Sequence, residues 1–143
     1  MGLELTKDQY QTLLELVFLG NWMIHTVPAP EAEPKYSELE ELLFQKAPEH
    51  HLPHLVQGPG NPSDLFLDKV FPLIDRYDDQ SFWERLVELL AQRDLAQKYS
   101  ASAWSALSEE ERFEKLEQLK DKYFRIFDQN GLNALTLAGP INR

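Results

Sequence analysis

The stretch Asp75-Arg-Tyr-Asp-Asp-Gln-Ser-Phe-Trp-Glu-Arg-Leu-Val-Glu-Leu-Leu-Ala-Gln-Arg-Asp-Leu-Ala-Gln-Lys-Tyr99 carries the reading of the fold. Its apolar residues Phe82, Trp83, Leu86, Leu89 and Leu90 recur at three and four, while Glu84, Arg85, Glu88 and Gln92 fall on the other side. That period gathers oily side chains on one helical face and leaves the opposite face wet. Ser81 and Glu84 stand three apart just ahead of the stripe. A hydroxyl and a carboxylate at that spacing each take an orphan amide of a first helical turn, so a helix is predicted to start at Ser81.

Upstream, Thr6 and Gln9 form a second such box, followed by a stripe of Tyr10, Leu13, Leu14, Val17 and Phe18 that Leu16, Leu19 and Met23 widen. A helix apolar over most of its girth belongs in the middle of a bundle. Gly20 inside it costs about 1 kcal/mol relative to Ala, which points to a close helix crossing or a kink. Asn21 beside it needs hydrogen-bond partners if it is buried. Pro28, Pro30 and Pro34 then impose a short connector over 27–34. Pro34 suits the first turn of a helix to Lys46, with Tyr36, Leu39, Leu42 and Leu43 inside and Glu38, Glu40 and Glu41 outside.

Residues 47–62 are rich in Pro and Gly and read as an irregular loop, with one turn around His51 to Val56. Ser63 and Asp64 open the next helix, in which Pro72 removes the bond to Asp68 and predicts a kink or restart. Ser100 caps a short turn through Trp104 and Leu107. Ser108 and Glu111 make a third box before the long helix Glu109 to Gln129, which Asn130-Gly131 ends. The tail alternates weakly at Leu135 and Leu137 and is expected to pack in extended form. Together these elements predict an all-α fold, a single compact irregular bundle of five or six helices spanning 1–143.

At 143 residues, 43% hydrophobic and 27% charged, the composition is globular. With no Cys there is no disulfide frame, thiolate nucleophile or thiolate metal site. The N-terminus lacks the basic and apolar regions of a secretory signal, and no apolar run approaches 18 residues, so a soluble cytoplasmic protein with no membrane partner is expected. Net charge is −10. Residues 1–79 hold 14 acidic and 5 basic side chains, a net −9, and residues 80–143 hold 10 and 9, a net −1. Such a surface repels phosphate backbones, so nucleic acid is not expected as a partner.

The runs Leu16-Val-Phe-Leu-Gly-Asn-Trp-Met-Ile24, Phe82 to Leu95 and Leu107-Ser-Glu-Glu-Glu-Arg-Phe-Glu-Lys115 resemble a family of small, acidic, all-helical bacterial proteins of unknown function. The likeness covers most of the chain except roughly 47–63. It implies a helical fold and brings no activity, cofactor or catalytic residue.

His50-His51-Leu-Pro-His54 places two imidazoles at the i,i+4 spacing of zinc-binding helices, making His50 and His54 the candidate metal ligands. His51 stands where a general-base Glu belongs and Pro53 spoils the helix, so surface histidines are the simpler reading. Asp75, Asp78, Asp79, Glu84 and Glu88 crowd one region, and Glu38-x-x-Glu41 with Asp75-x-x-Asp78 loosely resembles the acidic pairs of all-helical, Mg²⁺-dependent nucleotide pyrophosphohydrolases. Carboxylates at helix starts are, however, ordinary complements to the helix dipole. No Gly-x-Ser-x-Gly elbow or phosphate loop occurs, and no catalytic residue or cofactor is assigned. Asn21, Trp22, His25 and Trp83 are the candidates to line a groove for a protein partner or a second copy, since aromatics concentrate at interface hot spots. Their alternative role is core packing with satisfied polar tips. A non-enzymatic interaction module is the favoured function, with the Mg²⁺-dependent phosphohydrolase as its rival.

Overall fold

The computed structural model describes residues 2–26, 33–136 and 138. Five α-helices appear among them: α1 Lys7–Thr26, α2 Lys35–Lys46, α3 Asp64–Lys98, α4 Ala101–Ser105 and α5 Glu109–Asn130. Short 3₁₀ turns at Ala47–His50, Pro53–Leu55 and Gly131–Ala134 complete the regular structure. The described residues contain no strand beyond one isolated bridge between Val56 and Pro62. The fold is all-α. Contacts divide the chain into two compact units, Met1–Arg76 and Tyr77–Arg143, with the boundary inside α3.

The first unit begins as its cap predicts. Thr6 N–H donates to Gln9 Oε1 at 3.0 Å and Gln9 N–H to Thr6 Oγ1 at 3.3 Å, satisfying two orphan donors. Along α1, Tyr10, Leu14 and Phe18 are buried at spacings of four, one face of the helix. They join Phe44 of α2, Phe66, Val70 and Ile74 of α3, and Ala47, Leu52 and Leu55 from the irregular segment. Phe66 takes Phe18 and Phe44 edge-on, with centroids 5.4 and 4.9 Å away. The Tyr10 hydroxyl donates to the Leu43 carbonyl at 2.8 Å, and its ring stacks on His50 at 3.7 Å.

Residues 47–62 are thus more than a loop. Two turns deliver Leu52 and Leu55 to the core, and His51, at φ +62°, reverses the chain between them. Ser63 fastens the segment to α3: its hydroxyl donates to the His54 carbonyl at 2.8 Å and accepts from the Phe66 amide at 3.3 Å. Gly60, at φ +78°, presses against α2, and a Cβ there would collide with Glu41 Cγ and come within 3.2 Å of the Glu41 carbonyl.

The second unit buries Val87, Ala91, Leu95 and Phe127. Trp83 lies over Phe127 at 5.3 Å and against Phe82 at 5.0 Å. Ser100 accepts from the Ala103 amide, and Ser108 with Glu111 forms the reciprocal box that opens α5. Arg112 reaches back over the turn and donates to the carbonyls of Ser105 and Leu107. The Tyr123 hydroxyl donates to Asp94, which also receives Arg93. These donors, Tyr123 first, hold the Asp94 carboxyl below its ordinary value.

Several local expectations are corrected. On α2, Tyr36, Leu39 and Leu42 are exposed rather than inside, and Phe44 is the residue that the helix buries. Ser81 is no helix start, because α3 runs unbroken through it and Gln80 Nε2, not a backbone amide, takes Glu84 at 2.8 Å. Nothing between Ile74 and Phe82 stops a helix, and propagation adds a bond for each residue fixed. Nor does α3 restart at Pro72: the helix runs unbroken through it, and both Pro72 and Asp68 are exposed. Gly20 marks no close crossing, since a Cβ there would meet nothing within 4 Å among the described residues. The connector over 27–32 and the extension at Leu137 fall outside the described residues.

The same substitution at two glycines should therefore act with opposite sign. Gly20→Ala is expected to raise stability by about 1 kcal/mol, the helix-propensity difference. Gly60→Ala should lower it by about 2 kcal/mol through left-handed strain and the clash with Glu41. Urea denaturation of the two variants checks both. Tyr123→Phe should cost about 1 kcal/mol and let Asp94 titrate nearer the usual carboxylate range. The stability this pair adds is present above that range and lost as pH falls through the depressed value, which a pH series of melting temperatures reads directly.

Candidate functional site

The last two turns of α1 carry Asn21, Trp22, His25 and Thr26 beyond the buried Phe18. With Glu40 of α2 they line an open cavity of about 440 Å³ in the first unit. Trp22 is supported by Phe18 at 6.2 Å and meets Phe71 edge-on at 5.3 Å, yet 40% of its surface stays exposed. The indole is thus held by its neighbours on one side and open to water on the other.

Beside it, Asn21 Nδ2 donates to Glu40 Oε2 at 2.7 Å. Asn21 Oδ1 is buried and has no partner among the described residues. Glu40 is half-buried, and its carboxyl lies above its ordinary value because burial penalises the charge more than the Asn21 amide and the nearby His25 relieve it. His25 Nδ1 faces the Asn21 carbonyl at 3.0 Å; a carbonyl only accepts, so this nitrogen is assigned the proton. Its Nε2 then accepts from the Ser37 hydroxyl at 3.5 Å, and Thr26 Oγ1 closes the helix end on the Trp22 carbonyl at 2.6 Å.

No family model matches the chain, and neither a curated protein nor a solved structure matches it.

Three of the four groove candidates, Asn21, Trp22 and His25, therefore line one cavity, whereas Trp83 belongs to the second unit and packs on Phe82 and Phe127. Glu40, which the helical period puts on the wet face of α2, is instead turned toward α1, and the only sequence signal for this is the partner that a buried Asn21 demands. His50 is occupied by its stack on Tyr10, and His54 is exposed on its 3₁₀ turn. Among the described residues no group of three or more His, Asp or Glu converges as a metal ion would require. No helix among them is long and apolar enough to cross a membrane. The second unit holds a larger cavity, about 570 Å³, against Leu95, Tyr99 and Trp104, but no charged side chain lines it.

A carboxyl with a raised value binds its proton more tightly folded than unfolded. Its contribution to stability is largest below the usual carboxylate range and is lost as pH rises through the raised value. NMR titration should give Glu40 a midpoint above those of the exposed glutamates. Asn21→Leu, which keeps the burial and removes the amide, should push it further up.

Proposed function

We propose that this protein is a non-catalytic interaction module that receives a protein partner in the α1–α2 groove. The observation that carries this reading is the pairing of a supported, exposed Trp22 with the half-buried Asn21–Glu40 contact at the cavity's base. A large aromatic at a pocket rim, next to polar groups that fix orientation, is the composition of an interface hot spot. Its stem is already ordered by Phe18 and Phe71, so little freedom is lost when a partner covers it. The resemblance to small acidic helical bacterial proteins adds a setting to this reading, the bacterial cytoplasm.

A photo-crosslinking residue introduced at the exposed position Met23 tests it in the native host. A discrete polypeptide adduct is expected, and Trp22→Ala should reduce its yield roughly tenfold or more, as loss of an aromatic anchor does. An adduct indifferent to Trp22 would overturn the groove assignment. Millimolar Mg²⁺ or Mn²⁺ should leave the melting temperature unmoved; an increase that follows metal concentration would restore the phosphohydrolase reading.

A further inference from the structure

We propose that the groove recognises an arginine side chain of its partner, whose guanidinium lies against Trp22 and donates to the Glu40 carboxylate. This rests on the groove's being an interaction site and specifies what enters it. Glu40 lines the cavity with its charge half-buried. Among the described residues no Lys or Arg pairs with it, and the basic group near it is His25, whose pull on the carboxylate is outweighed by burial. The connector that follows α1, Val27-Pro-Ala-Pro-Glu-Ala32, carries no cation either.

A half-buried carboxylate with no Lys or Arg beside it is an unfavourable arrangement that an incoming permanent cation relieves. Asn21 spends its amide on that carboxylate and leaves its own Oδ1 unpaired, which orients Glu40 at the expense of Asn21. Asn21 is thus a positioning residue.

The cation's identity follows from its other neighbour. Trp22 presents an indole, and a planar guanidinium stacks on such a surface while its in-plane N–H groups reach a carboxylate beside it. An ammonium is a compact, strongly hydrated point charge and gains less from the ring. A neutral donor would leave the Glu40 charge uncompensated, and an anion would be repelled by the Glu40 carboxylate. The wider field agrees, because residues 1–79 carry a net −9 by 14 acidic against 5 basic side chains. Such a field steers a basic segment toward this half of the chain.

The test uses three fluorescent peptides of one Gly-Ser-rich sequence carrying arginine, lysine or the uncharged isostere citrulline at two positions. Anisotropy gives affinity, and the Trp22 indole resonance in the ¹⁵N spectrum reports the site. The arginine peptide should shift that resonance and bind about tenfold more tightly than the citrulline peptide, with lysine between them. Glu40→Gln should erase the preference while circular dichroism shows the fold kept. Glu38→Gln, on the exposed side of α2, should change affinity by less than twofold. An equal loss in Glu38→Gln would mean diffuse attraction and overturn the proposal. Equal binding of arginine and citrulline peptides, or a silent Trp22 resonance while the Met23 crosslink still forms, would sink the arginine assignment and leave the interaction reading standing. Absence of the crosslink would remove both.

Discussion

Edge-to-face contact of Phe66 with Phe18 and Phe44 is the constraint on which the first unit depends. The three rings come from three different helices, so Phe66 of α3, between them, ties α1 and α2 to that helix. Each edge meets a face because the ring's rim is electropositive and its face electronegative, which makes the geometry directional as well as apolar. Asn21 and Trp22 lie three and four residues past Phe18 and therefore on the same side of α1. The groove inherits its rigidity from the core beneath it. Its polar base is set by the same packing, since seating Phe44 on Phe66 brings Glu40, four residues earlier in α2, onto Asn21.

Much of this was legible beforehand because it depends on local chemistry. The boxes at Thr6 and Ser108 are completed within four residues, and the stripe of Tyr10, Leu14 and Phe18 needs only the helical period. Ser81 shows where local reading fails. Its box competes with a backbone that has no reason to stop, and continuous bonding wins. Leu52 and Leu55 were hidden for another reason: a 3₁₀ turn has no long period to betray which side chains face inward. Glu40 was hidden by its company, because in a run of acids the one that bends inward is chosen by a residue nineteen positions away. Trp22 could be nominated from sequence, but whether its ring is covered is a tertiary fact.

The second unit is held together differently. Apart from Phe127, α5 buries no residue fully, and Phe113 is largely exposed. Polar ties carry more of the specificity there: Tyr123 of α5 donates across to Asp94 of α3, which Arg93 on the same helix also holds. Such ties fix which faces meet, while the burial of Val87, Ala91, Leu95 and Phe127 supplies the driving force.

Arg112 illustrates a further consequence of building with backbone groups. Its guanidinium grips the carbonyl oxygens of Ser105 and Leu107, atoms that every amino acid possesses. Drift at positions 105 and 107 leaves those acceptors in place, whereas no other side chain supplies the same planar fork from position 112. Under mutational wandering, the elbow between α4 and α5 thus hangs on one codon and is indifferent to those it embraces.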